Sequence, residues 1–175
     1  MSGLLGTGLR LTFASSRSPI VALAVGLAFG AWMAIADTTV FADAVPDTQR
    51  IAVAEFSPLE RIVAVLPRVI LDEIVLRLLC STGLVALFIK VAGKQNPWSY
   101  VAPMILVATV AYPLRDYAYF ASLEWSGLTL NREIGLHIMA NLLWVWLYWR
   151  HGFLAAVTGH CAAHFALQPL LTWLA

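Results

Sequence analysis

Two small groups of residues in this chain have side chains that do chemistry, and both lie in stretches that are otherwise apolar. Asp72, Glu73 and Arg77 fall inside the apolar run 69–91, and His160 and His164 fall inside 153–173. Ionised side chains in a segment of membrane-spanning character are costly to bury, and are kept where they face a polar cavity or one another. Glu73 and Arg77 are four residues apart, so on a helix they share a face and can pair. Asp72 is rotated by about 100° from Glu73 and faces elsewhere. One acid can therefore be held by the arginine while the other faces a substrate or water. An ion pair that merely fixes helix packing would leave the second acid unmatched, which favours the functional reading. His160 and His164 sit one turn apart on one helix face. They can act as a base and an oxyanion donor, or bind a metal if carboxylates complete the shell. No cofactor is expected, but a metal held by Asp72, Glu73, His160 and His164 remains open. Gly159, Ala162 and Ala163 beside the histidines are small, which permits close helix approach. His137 and His151 read as structural or interfacial residues.

The elements that must position these groups follow from composition. At 175 residues there is room for one domain. The hydrophobic fraction is 61%, against roughly 45–50% in soluble chains. Charged residues are 12%, about half the usual share. With seven tryptophans and a mean hydropathy of +0.79, the sequence reads as an integral membrane protein in contact with lipid. A net charge of +1 gives no basis for a nucleic-acid partner. Cys80 and Cys161 both fall in apolar stretches and read as buried small hydrophobes.

Five spans are expected, forming an all-α polytopic helix bundle. Residues 19–36 have the length to cross a hydrocarbon core of roughly 30 Å. Ala34-Ile35-Ala36 also has the small-x-small pattern of a signal-peptide cleavage site, but the apolar run is longer than a signal core, which favours a retained helix. Residues 37–67 are the most polar region, and 51–56 and 59–66 within it read as an interfacial amphipathic helix or a plain loop. The second span, 69–89, carries the acidic pair. A tight connection at 93–97 follows, with Trp98 and Tyr100 as interface aromatics. The third span ends near Leu114, the fourth covers 134–149, and the fifth covers 153–173 with a kink or frayed end at Pro169. Arg10, Arg17, Lys90, Lys94 and Arg150 fall on one side of this arrangement, and Arg50, Arg61, Arg115 and Arg132 on the other. The first span has a positive flank before it and acids after, so the N-terminus is expected in the cytoplasm, with the protein in a bacterial inner (plasma) membrane.

The motif Asp72-Glu73-x-x-x-Arg77 on one apolar stretch, with His160-x-x-x-His164 on the last, resembles the CPBP family, the CAAX-protease and bacteriocin-processing intramembrane endopeptidases. The family's first motif is Glu-Glu-x-x-x-Arg and its third is His-x-x-x-Asn. The run 147–154 resembles the family's turn into its last motif helix, and 93–114 its third helix, Pro97-Trp98 included. The resemblance spans about 69–170. It implies an endopeptidase that uses acid- and histidine-activated water on a peptide or protein segment near the membrane. Asp72 or Glu73 would be the base for water with His160, Arg77 would hold the acidic pair, and His164 or Tyr112 would steady the oxyanion. Two departures bear on this. The family's second motif, Phe-x-x-x-His, falls on Ala108 and Tyr112, and tyrosine, with an ordinary pKa of about 10, is a poor base at neutral pH. His164 stands at the asparagine place and brings an imidazole. The alternative is a family fold without peptidase activity, serving as a membrane scaffold or as a small subunit of a larger membrane complex.

Overall fold

The computed structural model describes residues 4–175, and the described chain is all-helical, with no strand among the described residues. Its organising contact is between the first and last long helices. Helix α1 (Ser18–Thr38) carries Ala22, Gly26, Gly30 and Ala34 at four-residue spacing, and all four are buried. Helix α7 (Phe153–Leu174) opposes them with Ala155, Ala156, Gly159, Ala162 and Ala163. A Cβ added at Gly26 would lie 2.1 Å from the Gly159 carbonyl oxygen, and one at Gly30 would lie 2.1 Å from that of Ala163. The two backbones therefore touch, as small-x-x-x-small stripes allow.

A short helix α2 (Asp47–Glu55) precedes α3 (Pro58–Ala92). Ser57 starts α3 with a reciprocal cap. Its hydroxyl accepts from the Glu60 amide at 3.4 Å, and Glu60 Oε2 accepts from the Ser57 amide at 2.8 Å. Residues 59–66 are thus the first turns of α3, not a separate interfacial helix, because this cap launches a helix that runs on to Gly93 (φ +66°). The chain continues with α4 (residues 98–115), α5 (Tyr117–Ala121), α6 (residues 127–151) and α7. Helix α7 continues through Pro169 to Leu174.

The connections sort into two ends. At one end, Gln95 donates to the Gly6 carbonyl (2.9 Å), Tyr100 OH to that of Thr7 (2.7 Å), and the Ala14 amide to that of His151 (2.8 Å). The segment before α1 therefore packs on the α3–α4 and α6–α7 connections, with Leu9 and Thr7 buried. Tyr100 is not an outward interface aromatic. It hydrogen-bonds inward and stacks on Trp149 at 5.1 Å, whereas Trp98 is exposed. Asp37, α2 and α5 lie at the other end.

Two helices, α1 and α3, are long and apolar enough to cross a membrane. All five long helices turn large apolar side chains outward, among them Ile20, Leu79, Val110, Met139 and Phe165. Cys80 and Cys161 are free thiols. Three helices contain π-helical stretches, Glu73–Ser81 in α3, Val107–Ala111 in α4 and Glu133–Ile138 in α6. Hydroxyls reach back to carbonyls five residues earlier in the first of these, Ser81 to Leu76 at 2.8 Å and Thr82 to Arg77 at 3.4 Å. Such distortions cluster at functional sites, and the groups described next lie in or beside all three.

Candidate functional site

Glu73 is wholly buried, near the middle of α3. Its Oε1 lies 2.9 Å from His160 Nδ1 on α7, and its Oε2 lies 3.4 Å from Arg77 Nε. A carboxylate only accepts, so His160 donates through Nδ1–H. The neutral imidazole then carries its lone pair on Nε2. The His160 ring stacks on Trp144 at 5.2 Å and on His164 at 5.4 Å. Trp144 is itself buried, with the Phe29 ring against it at 6.0 Å.

Arg77, 1% exposed, donates through Nη2 to Asn141 Oδ1 at 2.9 Å. Its approach to Glu73 is close in distance but lacks hydrogen-bond alignment. Glu73 Oε2, Arg77 Nε and Arg77 Nη1 are therefore left without hydrogen-bond partners among the described residues. The charge attraction stands, while donor capacity remains. His164 Nδ1 is likewise buried without a partner.

Asp72 departs from the expectation that Arg77 holds both acids. Rotated away from Glu73, it meets Arg115 Nη2 at 3.2 Å and Arg68 Nε at 3.7 Å. Arg68 also donates to Asp116 at 2.6 Å. Tyr112 is near this group, edge-on to Phe120 at 5.6 Å.

A cavity of about 630 Å³ joins these side chains, with Asp72, Arg77, Tyr112, His137, His160 and His164 on its wall. That is within the usual range for a ligand pocket, roughly 300–1,000 Å³. Glu73 is behind His160, out of the lining. Among the described residues, no three His, Cys, Asp or Glu side chains gather as a metal would need. The two acids of the expected set face apart and are each taken by arginine.

The sequence reading missed a second polar group at one end of the same cavity. The expected spans 19–36 and 134–149 leave Asp37 and Glu133 just outside them, yet Asp37 is buried in the last turn of α1 and Glu133 is buried within α6. Glu133 Oε2 lies 2.6 Å from His137 Nδ1, and its Oε1 accepts from Arg132 (2.7 Å) and Tyr119 (2.9 Å). Arg132, fully buried, uses all five of its N–H donors: Nε and Nη2 on Asp37 (2.8 and 3.0 Å), Nη2 on Gln49 (2.8 Å), and Nη1 on Glu133 and Tyr119 (2.7 and 3.1 Å). Burial, with the Glu133 carboxylate beside it, pushes the Tyr119 phenol above its ordinary range, so it remains a donor. Asn141 connects the two groups, accepting from Arg77 and donating to the His137 carbonyl at 2.9 Å. The available signal was the spacing of Glu133 and His137, four apart like Glu73 and Arg77, at the start of an apolar stretch. No protein-family model, characterised protein or solved structure matches this chain.

Proposed function

We propose that the chain is an integral membrane endopeptidase in which water is activated by His160 and Glu73. The observation that carries this is the 2.9 Å contact between Glu73 Oε1 and His160 Nδ1, on an imidazole that lines the cavity. Glu73 fixes the imidazole's tautomer, and Trp144 and His164 fix its plane. The Nε2 lone pair takes a proton from water as the oxygen attacks the peptide carbonyl. Arg77 holds Glu73 as the carboxylate, and His164, on the cavity wall, steadies the developing oxyanion. The acid's role falls to Glu73 acting through His160, since Asp72 is already engaged by two arginines.

In this reading the five long helices are the five spans and the N-terminus is cytoplasmic, in a bacterial inner membrane. Outward apolar side chains on all five support it. The three histidines on the cavity wall lie on α6 and α7, and the acids and arginines they face include Asp72 and Arg77 on α3. The CPBP resemblance points to the same chemistry, with the acid–histidine pair as its working part.

The test uses purified full-length protein in detergent micelles with a pool of internally quenched fluorogenic peptides. Wild type hydrolyses at least one peptide, and His160→Ala or Glu73→Gln lowers the rate by roughly 10²–10⁴-fold. Equal turnover by wild type and His160→Ala would sink the assignment.

A further inference from the structure

The cavity has two Arg–Glu–His sets. In one, Arg77 is 3.4 Å from Glu73 and Glu73 is 2.9 Å from His160. In the other, Arg132 is 2.7 Å from Glu133 and Glu133 is 2.6 Å from His137. Both imidazoles bond their glutamate through Nδ1, and both line the cavity. The proposed hydrolysis uses only the first set. Resting on that reading, we propose that His137, held by Glu133, is a second catalytic residue, the general acid that protonates the leaving amine.

The charges around the two imidazoles differ. Glu73 has a cation of its own in Arg77. Arg132 instead serves two buried carboxylates, Asp37 and Glu133, with hydrogen bonds to both. One negative charge is left over there, and an imidazolium at His137 neutralises it. Tyr119 on α5 also faces His137, its ring 5.6 Å away, and the wall of the same cavity carries Glu60, Arg61, Arg68, Asp72 and Arg77 on α3, Tyr112 on α4, Asp116 just after it, and His160 and His164 on α7. His160 is thus set to take a proton and His137 to give one.

The step balances. Water adds its oxygen to the carbonyl carbon and passes one proton to His160 Nε2. The tetrahedral intermediate collapses, the C–N bond breaks, and the nitrogen takes a proton from His137 Nε2. Proton return from His160 to His137 through cavity water resets the site. The sum is peptide plus water giving a carboxylic acid and an amine.

Leaving-group dependence tests this on full-length protein in micelles. The probes are a peptide cleaved by wild type and its analogue with a 4-nitrophenyl ester at the scissile bond, whose leaving group needs no proton. His137→Gln lowers kcat on the peptide by roughly 10²–10⁴-fold while changing ester turnover less than about threefold. The alkaline fall of the peptide pH–rate profile is lost with it. The side chain alone changes, since Asn141 bonds the His137 backbone carbonyl, and His137→Ala serves as a second variant. Equal losses on peptide and ester, or an unimpaired peptide rate, would overturn the acid role while leaving His160 as base. A wild type that cleaves no peptide would overturn the peptidase reading and this role together.

Discussion

Replacing Arg132 with methionine tests how the far end of the cavity is held. One guanidinium ties α1 through Asp37, α2 through Gln49 and α5 through Tyr119 to α6, with every donor used. Methionine fills similar volume and leaves Asp37 and Glu133 buried without their cation. Breaking a buried pair by removing one partner costs about 3–5 kcal/mol. Glu133 keeps His137 and Tyr119, but Asp37 keeps only Gln49 (2.9 Å). For a chain of this size each kcal/mol moves Tm by roughly 2–4 °C, so the drop is about 6–20 °C. Thermal unfolding in micelles, followed by tryptophan fluorescence, measures it. Asp37→Asn combined with Arg132→Met recovers part of the loss, because the orphaned charge is gone. A drop smaller than the measurement scatter, or no recovery in the double variant, would refute the reasoning.

Three further outcomes are expected. Gly26→Leu pushes a side chain into the Gly159 carbonyl and separates α1 from α7, so little folded protein survives extraction, while Gly26→Ala costs about 1–3 kcal/mol as overpacking in the same melts. Arg61 donates to the carbonyls of Val53 and Phe56 at the end of α2 and to Gln168 and Thr172 on α7, so Arg61→Ala frees α2, and hydrogen exchange over 47–57 rises at least tenfold with little change elsewhere. Tyr148→Phe removes the 2.7 Å hydroxyl contact to buried Thr82 and lowers stability by about 1 kcal/mol, which denaturant titration in mixed micelles reads.

Hydrophobic run length and four-residue spacing are local properties, and they determined much of this protein. The helical class, the positions of the long helices, the pairing of Glu73 with Arg77 and the common face of His160 and His164 follow from them, because helix geometry is fixed by sequence distance alone. The small-residue run on α7 likewise indicated close helix approach. What the tertiary structure decided was which partner each charge meets across helices. Asp72 meets Arg68 one turn before it, as four-residue spacing allows, but it also meets Arg115, 43 positions further on, and no spacing rule supplies that partner. Glu133 looks like an ordinary loop-edge acid until α6 begins early, at Gly127, and carries it inside. Arg132 reads as a flanking charge until α1, α2 and α5 close around it. The π-helical stretches add to this, since they shift which residues share a face and no residue type announces them. Local geometry sets where side chains point along a helix, whereas the burial that makes a charge costly or useful arises only when separate helices pack.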